Sequence, residues 1–565
     1  MYKAMDKKFW EKNIPHWWPD RFHYGKDPLV KHLYDHSWRV PNKPAIIFYG
    51  RVITFKELND LVWRVAGGLQ KMGMQKGDRL YIALQNCPQF IIAYYAASAI
   101  GATVITGSPL YKPGELRFVL NDCTPKVVLF EDDLFPVFAA IRDEVPSVEK
   151  VVVTSLGEYL PEQPDILVSF DPGGKGGEIP DTIAWKELVA SEPIKELADL
   201  DIKKDIAMLQ YTSGTTGNPK GAILTHFNVL ANATNSAYGR PTKFDDIHVA
   251  VLPLFHVNGS NNALNAPILM GATIVVLVRF DLETLYQAIE KYRVSVWIGI
   301  TTMNIAFLQH PKFKDYDLTS LTFAGTGGMP LPQALFNTYK EIFGLELQDG
   351  FGMSETMAYT ICNSSGYSKV GSIGIPCPLV DIRIASLKDE NIDAEIGEEG
   401  ELWQRGPSIA VGYWNNPEGS AETFVKSDDS DFLWLKTGDI VRMDEDGFLW
   451  LCGRTKEMIK VSGFSVYPAE VEEYLYHHPA ILECCVIGIP HDYKGEEVKA
   501  FIVLRPDYVG KVTAEEIVEW ASQEMSAYKY PRVIEFRDTL PKGGTGKIMR
   551  KVLKAEESER TQTKG

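Results

Sequence analysis

The sequence predicts a large α/β N-terminal domain with parallel sheets and crossover helices, followed by a smaller α+β C-terminal domain. Over most of the chain, short β-branched runs alternate with amphipathic stretches of helical length, which is the pattern of a parallel sheet. The chain has 565 residues, and because globular domains usually contain about 100–200 residues, more than one domain is expected. Beyond Arg454 the pattern changes, which indicates the second domain.

Individual elements of the large domain follow from this alternation. Each apolar run is short, and each helical stretch between two runs has the length of a crossover connection. The longest uncharged stretch, 90–107, is interpreted as a buried helix followed by a buried strand, so no transmembrane segment is predicted. The predicted strands are 79–85, 102–106, 247–252, 273–278 and 295–300, and the predicted helices are 88–99, 258–269 and 283–292.

The C-terminal pattern predicts a compact unit, and we assign residues 1–454 to the large domain and 455–565 to the small one. Two segments are expected to lack regular structure. Residues 160–180 are rich in Pro and Gly and predict an exposed loop, while the charged residues 556–565 are expected to fray. The small domain's predicted elements are helices at 469–476 and 514–526 and strands at 483–489, 498–504 and 532–536, the first two strands being paired.

Composition and charge exclude several classes of protein. Hydrophobic residues make up 45% of the chain and charged residues 23%, which excludes collagen-like, coiled-coil and wholly disordered proteins. With 74 acidic and 58 basic residues the formal net charge is −16, so a nucleic-acid binder is not expected. Seven cysteines without C-x-x-C spacing indicate a reducing compartment, and no apolar signal sequence is evident, so a cytoplasmic location is predicted.

The most specific segment for chemistry is a loop rich in Gly, Ser and Thr at 211–221, which follows the apolar run 206–210. Its glycines allow close backbone approach, its hydroxyl groups are hydrogen-bond donors, and Lys220 is a cation, a combination that suits phosphate oxygens. A Walker A loop is excluded because Lys220 stands between Pro219 and Gly221. The loop therefore predicts a phosphate site of another type.

Two further glycine motifs are incomplete. Gly325 and Gly327 are followed by Pro330 where a dinucleotide-binding motif needs its third glycine. The segment from Gly352 to Ser354 is followed by Thr356 where a nucleophile elbow needs glycine. The sequence also lacks an H-E-x-x-H motif and a clustered Cys/His metal site. Neither a dinucleotide-binding motif nor a nucleophile elbow is therefore predicted.

Seven motifs accompany the phosphate loop along the chain, at 253–257, 327–331, 349–355, 436–439, 453–460, 467–472 and 541–547. With these motifs in this order, the sequence resembles the adenylate-forming (AMP-binding) superfamily over nearly its whole length. The resemblance lies in the acyl-CoA synthetase/ligase branch. It implies a two-step reaction, in which a carboxylate attacks the α-phosphate of ATP bound with Mg²⁺, releasing pyrophosphate and forming an acyl-adenylate. The thiol of coenzyme A, a co-substrate, then displaces AMP to give acyl-CoA.

The resemblance implies a nucleotide site assembled from several motifs. Glu355 matches the Mg²⁺-binding carboxylate, with Thr216 as a second metal-binding residue, and a carboxylate suits this hard cation. Asp439 matches the carboxylate that accepts hydrogen bonds from the ribose hydroxyls, and Arg454 adds a donor there. The implied nucleotide-binding residues are Thr212, Ser213, Gly214, Thr215, Thr216, Gly217, Lys220, Gly327, Gly328, Met329, Asp349, Gly350, Phe351, Gly352, Met353, Ser354, Asp439, Arg454 and Lys547.

The resemblance also implies that the small domain is mobile and brings different residues to the site in each step. Lys547 matches the catalytic lysine that reaches the acyl carboxylate and the α-phosphate in the first step, where its charge stabilises the transition state. Lys456 matches the hinge of this movement. Ser465 stands where relatives often carry a longer polar residue, so a phosphate contact from it is not expected. The coenzyme A-binding face implied for the second step is Lys460, Ser462, Gly463 and Phe464.

The acyl pocket carries the least specific pattern. His256 matches the catalytic gate beside the carboxylate in acyl- and aryl-CoA ligases, and it replaces the Asp with which amino-acid-activating relatives hold an ammonium group. The small residues Gly259 and Ser260 are expected to leave volume, and Asn258 with its neighbours Asn261 and Asn262 is compatible with a polar acyl tail. The implied acyl-binding residues are His256, Val257, Asn258, Gly259, Ser260, Ile300, Thr301 and Met303.

The N-terminal extension and the insertion ending at 182–187 look like those of bacterial medium- and long-chain fatty acyl-CoA synthetases, so a fatty acid is the preferred substrate. Three alternatives are left open. They are a ligase for an aromatic or short polar acid, including the carnitine/crotonobetaine type, a stand-alone enzyme that loads a carrier protein, and a luciferase-like monooxygenase. A homo-oligomer and a peripheral membrane contact are also left open.

Overall fold

The computed structural model describes residues 4–19, 22, 24–173, 179–212, 219–240, 242–328, 331–462, 464–491, 493–543 and 547–563. Its helices are α1 (Leu29–Arg39), α2 (Phe55–Lys71), α3 (Pro88–Ala99), α4 (Pro113–Cys123), α5 (Phe135–Ala139), α6 (Trp185–Val189), α7 (His226–Gly239), α8 (Ala266–Met270), α9 (Leu282–Tyr292), α10 (Thr301–Gln309), α11 (Gln333–Phe343), α12 (Pro417–Thr423), α13 (Pro468–Tyr476), α14 (Ala514–Glu524) and α15 (Arg550–Thr563).

The strands are β1 (Pro44–Phe48), β2 (Arg51–Thr54), β3 (Arg79–Ala83), β4 (Thr103–Thr106), β5 (Val127–Glu131), β6 (Lys150–Thr154), β7 (Ile183–Ala184), β8 (Ile206–Tyr211), β9 (Gly221–Thr225), β10 (Ile247–Ala250), β11 (Thr273–Val276), β12 (Val296–Ile298), β13 (Phe323–Gly327), β14 (Gln348–Met353), β15 (Ala358–Cys362), β16 (Ile375–Pro376), β17 (Asp381–Ser386), β18 (Gly400–Arg405), β19 (Phe424–Val425), β20 (Trp434–Met443), β21 (Leu449–Arg454), β22 (Ile459–Val461), β23 (Phe464–Val466), β24 (Ile481–His491), β25 (Gly495–Leu504) and β26 (Val533–Phe536).

The chain forms two compact units. The large unit comprises residues 10–381 and 404–435, and the small unit comprises residues up to Phe9, 382–403 and the chain from Lys436 onward. This division differs from the predicted boundary at 454, since 382–403 and 436–454 group with the C-terminal part. The reason is local packing. β20 and β21 form an antiparallel ladder, and a Cβ on Gly453 of β21 would lie 2.6 Å from the Tyr467 ring just before α13.

The large unit contains two sheets, as the alternating pattern predicts. One has the order β7-β6-β5-β3-β4-β8-β9 and is parallel except for β9, which pairs antiparallel with β8. The other has the order β16-β15-β14-β13-β12-β10-β11-β1-β2 and is parallel from β14 to β1. The uncharged stretch forms buried helix α3 and buried strand β4, as predicted. Among the described residues, no helix is both long and apolar enough to cross a membrane.

Helix α7 begins with a reciprocal cap, and it packs polar side chains inward. The Thr225 hydroxyl accepts a hydrogen bond from the Asn228 amide (3.2 Å), and the Asn228 side chain accepts one from the Thr225 amide (2.8 Å). This cap satisfies two backbone donors that a helix start leaves unpaired. Asn228 also donates to the Pro407 carbonyl (2.8 Å), which fixes the helix start against a distant segment.

One sheet of the small unit has the strand order β23-β22-β25-β24, with β26 parallel to β25 and the other pairs antiparallel. The predicted pairing of two long strands is confirmed by β24 and β25. A further sheet has the order β17-β18-β20-β19, with β21 beside β20.

Two predictions of irregular structure need correction. Of the residues expected to fray, 556–563 belong to helix α15, because Glu557 contacts buried Lys499 (2.6 Å) and Glu556 contacts Arg537 (2.9 Å). In segment 160–180 the described residues lack helix and strand as expected, but Ile166 and Phe170 are buried in the core. The loop is therefore only partly exposed.

Candidate functional site

The predicted phosphate loop connects two antiparallel strands. Tyr211, the last residue of β8, pairs with Gly221, the first residue of β9, and the Thr212 amide donates to the Lys220 carbonyl (3.0 Å). A Walker A loop connects a strand to a helix, so the hairpin agrees with the exclusion made from the sequence. The predicted residues Ser213, Gly214, Thr215, Thr216 and Gly217 lie outside the described part of the chain.

Tyr413 connects Glu355 to this hairpin. The segment around Tyr413 runs beside β9, where the Trp414 amide donates to the Gly221 carbonyl (2.8 Å). The Tyr413 hydroxyl donates to Glu355 Oε1 (2.7 Å), and Lys220 Nζ is 4.9 Å from the centre of the Tyr413 ring. Burial, followed by the Glu355 charge, raises the pKa of Tyr413, so its hydroxyl remains a donor at neutral pH.

Tyr413 was not predicted from the sequence. It belongs to no motif that we singled out, and its place beside Glu355 and Lys220 depends on backbone pairing between segments nearly two hundred residues apart. The only local signal is the Gly-Tyr-Trp sequence in a turn-rich segment, which does not by itself indicate a site.

We expect Tyr413→Phe to lower kcat/KM for MgATP by about 10- to 100-fold, because a hydrogen bond to a buried charged group contributes about 1.5–3 kcal/mol. Steady-state kinetics at varied MgATP would measure this loss. The matched control is Tyr211→Phe, since Tyr211 is also buried on this hairpin and donates to Asp122. Equal losses in both variants would show that Tyr413 has no specific role.

The turn that carries Glu355 is followed by residues in an uncommon backbone conformation. Glu355 is 6% exposed and lies in a 3₁₀ turn, Ser354–Thr356, between β14 and β15. After it, Met357 and Ala358 have positive φ angles of 57° and 118°. A Cβ on Gly352 would lie 1.9 Å from the Ala358 carbonyl oxygen, so the bulged hairpin requires glycine there.

The other predicted nucleotide-binding residues of the large unit are neighbours on β13 and β14. Gly327 pairs with Gly350, and a Cβ on Gly327 would be 3.0 Å from the Gly350 carbonyl oxygen. Gly328 follows with a φ of 84°, and Met329 lies outside the described residues. Strand β14 and the turn after it carry Asp349, Gly350, Phe351, Gly352, Met353, Ser354 and Glu355 in one continuous segment.

Asp349 is a buried carboxyl group on β14. It is 5% exposed and accepts a hydrogen bond from the Gly350 amide (2.9 Å). Burial raises its pKa from 3.8 to about 8, although the hydrogen bond acts in the opposite direction. The protonated, neutral form therefore dominates at neutral pH.

This raised pKa predicts a pH-dependent stability. Because the folded state binds the Asp349 proton more tightly than the unfolded state, its contribution is fully present below about pH 4 and is lost as pH rises towards about 8. The loss amounts to at most about 1.4 kcal/mol per pH unit in that window. We expect Asp349→Asn, which stays neutral, to lose less thermal stability than the wild type between about pH 6 and pH 8. Parallel melting curves for both proteins would contradict this assignment.

In the small unit, predicted ribose and catalytic residues come together. Asp439, 1% exposed, pairs across β20 and β21 with Arg454, whose Nε and Nη2 donate to its two carboxylate oxygens (2.8 and 3.4 Å). Burial raises the pKa of Asp439, while the charges of Arg454 and Lys547 lower it. Lys547 is therefore close enough to act electrostatically on Asp439, and its side chain is exposed.

The predicted hinge and coenzyme A residues lie on one edge of the small unit. Lys456 is exposed in the turn after β21, and Lys460 is exposed on β22, where its amide donates to Glu496 (2.7 Å). Ser462 is exposed with a φ of 51° in the β22–β23 hairpin. Gly463 lies outside the described residues, and only the backbone of Phe464 in β23 is described.

The predicted acyl wall is a π-helix, Gly259–Asn265, that continues into α8. His256 is half-buried before it, and Val257 is buried. The expectation that Gly259 and Ser260 leave volume is wrong. A Cβ on Gly259 would lie 2.1 Å from the Pro253 carbonyl oxygen, and fully buried Ser260 bonds back to the His256 carbonyl (3.3 Å). Both residues shape the helix, so neither opens a pocket.

The other predicted acyl-binding residues form an apolar group and a polar group. Ile300 and Met303 pack with Phe323 against a small apolar cluster of Leu252, Val296 and Ile298. Thr301 is buried, and its hydroxyl is 3.2 Å from that of Thr326. Asn258 is half-buried and accepts a hydrogen bond from Asn262 (2.5 Å). Asn262 in turn accepts hydrogen bonds from Ser236 and Arg240 at the end of α7, a connection that the sequence analysis did not predict. The polar residues at 228, 232, 235 and 236 are the sequence signal of this polar helix face.

Comparison with known proteins identifies the family. The family model described as AMP-binding enzyme matches residues 34–414, and the model of its C-terminal domain matches residues 470–547. The chain belongs to the AMP-binding enzyme family. It is an AMP-forming acid–CoA ligase, and acyl-CoA ligases of this family use ATP and coenzyme A.

The relatives and solved structures agree with this family over almost the whole chain. The long-chain-fatty-acid–CoA ligase of Bacillus subtilis (strain 168) is 37% identical, covering 98% of this chain and 99% of the relative. The Yersinia pestis protein of the same name is 34% identical, covering 95% of each. The structure of the anthranilate CoA ligase AuaEII in complex with anthranoyl-AMP has a TM-score of 0.85 at 28% identity, covering 95% and 98% of the two chains. A benzoate CoA ligase from Burkholderia xenovorans LB400 has a TM-score of 0.80 at 26% identity, covering 93% and 99%.

Proposed function

We propose that this AMP-forming ligase activates a long-chain fatty acid to its acyl-adenylate and then transfers the acyl group to coenzyme A. The observation that carries the proposal is the placement of Glu355, Tyr413 and Lys220 around the β8–β9 hairpin. A buried carboxylate and a lysine beside a loop rich in hydroxyl groups are suited to an ATP triphosphate and its cation. The acid is inferred from the names of the relatives, which are long-chain-fatty-acid–CoA ligases.

Glu355 is the proposed Mg²⁺ ligand. Among the described residues, no group of three or more His, Cys, Asp or Glu side chains is arranged to hold a metal ion by itself. One buried carboxylate fits Mg²⁺, which is often held by one or two carboxylates together with substrate phosphates and water. When bound, the ion would neutralise charge on the departing pyrophosphate. Tyr413 would hold the Glu355 carboxylate in place.

The remaining residues divide between the two steps. Lys547 would stabilise the negative charge that develops when the acyl carboxylate attacks the α-phosphate. Asp439, paired with Arg454 in this structure, would accept hydrogen bonds from the ribose hydroxyls. We propose that rotation at Lys456 then exposes the face of Lys460 and Ser462 to coenzyme A. A cytoplasmic location remains a prediction from the cysteine pattern.

The test is pyrophosphate release from MgATP with a panel of carboxylic acids, measured with and without coenzyme A. We expect palmitate to give pyrophosphate and, with coenzyme A present, palmitoyl-CoA and AMP. Faster turnover of benzoate or anthranilate would favour an aryl-CoA ligase, while thioester formation on a phosphopantetheinyl protein alone would favour carrier loading. Oxygen-dependent turnover of the adenylate would indicate a monooxygenase. Absence of pyrophosphate release with every acid would refute the proposal.

A further inference from the structure

Arg240, directly after α7, carries a buried positive charge. Its side chain is 9% exposed, and Nη2 donates to Asn262 Oδ1 (2.8 Å). The guanidinium carbon lies 5.1 Å from the Phe323 ring centre and 5.6 Å from that of Tyr359. Within the described part of the chain Nε has no hydrogen-bond partner, and no Asp or Glu forms an ion pair with Arg240.

A second buried polar group, His248, lies within electrostatic range of Arg240. His248 on β10 is 2% exposed, and within the described residues neither of its ring nitrogens has a hydrogen-bond partner. Burial, followed by the Arg240 charge, lowers the pKa of His248 to about 3, so the ring is neutral and available as a donor. Burying a charge or a polar group without a partner is costly, and the aromatic rings around Arg240 compensate for only part of that cost.

Hydrogen bonds connect Arg240 to the proposed acyl wall. Asn262 of the π-helix contacts Arg240 through Oδ1 and donates from Nδ2 to Asn258 Oδ1 (2.5 Å). The Ser236 hydroxyl also donates to Asn262 Oδ1 (2.9 Å). Asn258 is half-buried, whereas Asn262 is 3% exposed. The polar path therefore runs inward from an accessible wall residue to the cation.

The distance from His256 to Arg240 along this path can be compared with the length of an acyl chain. His256, the proposed neighbour of the reacting carboxylate, precedes Asn262 by six residues, which would span about 9 Å in an α-helix and span less here because Gly259–Asn265 is a π-helix. Arg240 contacts Asn262, and its ring contact Phe323 packs against the same apolar cluster as Ile300 and Met303. A flexible acid several methylenes long could bring a second group to Arg240 while its first carboxylate reacts.

We propose that the preferred acid carries a second anionic group, a carboxylate at the far end of its alkyl chain, which pairs with Arg240. This inference rests on the proposed ligase function and specifies its substrate class. The aliphatic part of such an acid contacts Ile300 and Met303, and the distal carboxylate accepts hydrogen bonds from Arg240 and from the neutral His248. A purely hydrocarbon tail leaves the same cation without a counter-charge and removes more water from it.

The experiment compares acids of matched length in the full-length enzyme with MgATP and coenzyme A. Decanoate is paired with decanedioate, and palmitate with hexadecanedioate, and kcat/KM is measured for each from AMP formation. We expect the dicarboxylate of at least one pair to be preferred by about tenfold or more, the factor expected when a buried charged hydrogen-bonding group is satisfied. Arg240→Met should reduce this ratio by a similar factor, and Arg240→Lys should retain part of it.

The ratio of two acids in one preparation does not depend on the fraction of enzyme that folds. If Arg240→Met does not yield folded protein, Asn262→Leu, which interrupts the polar path, should also reduce the ratio. Asn235→Ala is the control, since Asn235 is a fully buried α7 residue whose side chain has no partner within the described residues. It should leave the ratio unchanged.

Two outcomes would overturn the inference without touching the proposed ligase function. One is preference for the monocarboxylate in both pairs, and the other is an unchanged ratio in Arg240→Met or Asn262→Leu while palmitate is still converted to palmitoyl-CoA. Failure of the ligase proposal is distinguishable, because in that case no acid of either kind would yield AMP.

Discussion

Replacing Lys547 with alanine is expected to slow acyl-adenylate formation by about 10²–10³-fold, the loss typical of removing one preorganised group that stabilises transition-state charge. The carboxylate and the α-phosphate are both anionic, and their approach requires a cation between them. Lys547 is exposed and acts electrostatically on Asp439, the proposed ribose ligand, which supports its place on the proposed nucleotide-binding face of the small unit. Thioester formation from supplied acyl-adenylate and coenzyme A should be affected much less.

The two half-reactions would be measured separately, as pyrophosphate release without coenzyme A and as acyl-CoA formation from synthetic acyl-adenylate. Lys542→Ala is the matched control, because Lys542 lies on the same loop but forms an ion pair with Glu483 (2.5 Å). We expect its adenylation rate to be close to that of the wild type. Equal loss of both half-reactions in Lys547→Ala would refute the proposed division of labour.

The elements that sequence analysis predicted well are those whose pattern is local. Helix α3 occupies the predicted residues, and β3, β4, β10, β11 and β12 all fall within predicted runs. Their side chains are nearly all buried, so hydrophobicity and β-branching alone indicate them. Pairing of β24 with β25 was also predicted, because two adjacent apolar runs with a short polar connection favour a hairpin.

Elements stabilised by distant partners were not predicted. The end of α15 is too charged to indicate a docked helix, yet Glu557 neutralises a lysine on β25 and Arg560 contacts Glu535 on β26 (2.8 Å). The same limit applies to the unit boundary. Residues 436–454 continue the large domain in sequence, but their ladder and the Gly453–Tyr467 contact group them with the small unit.

Some residues of the candidate site could likewise be predicted from local sequence, and others could not. Motifs indicated Glu355, Asp439 and Lys547 because their neighbours in sequence are distinctive. Tyr413 and Arg240 have no such neighbours, and they become evident only through the hydrogen bonds that Tyr413 makes to Glu355 and Arg240 makes to Asn262. Residues of this kind can be identified only from the tertiary structure, since their proposed roles depend on how deeply their side chains are buried and on which side chains they contact.

Glu355→Gln is expected to lower the rate of adenylate formation by about 10²–10³-fold, because the amide has no charge with which to hold Mg²⁺ beside the phosphates. The substitution keeps the shape of the side chain and an oxygen that can accept the Tyr413 hydrogen bond (2.7 Å in the wild type), so the turn between β14 and β15 should persist. The Mg²⁺ concentration that gives half-maximal pyrophosphate release should rise together with the loss of rate, and a purely structural role would not produce that rise.

Glu131→Gln is the matched control for this charge removal. Glu131 is a buried carboxyl group (2% exposed) at the end of β5, where it accepts a hydrogen bond from Gln85 (3.0 Å) and belongs to no predicted motif. Burial raises its pKa to about 7, so in assays at about pH 8 most of its charge is present in the wild type and is removed by the amide. We expect this variant to keep its adenylation rate and its Mg²⁺ dependence. If Glu355→Gln reduced the rate with no shift in the Mg²⁺ titration, Glu355 would not be the metal ligand, and its role would be limited to holding Tyr413 and Lys220 beside the phosphate loop.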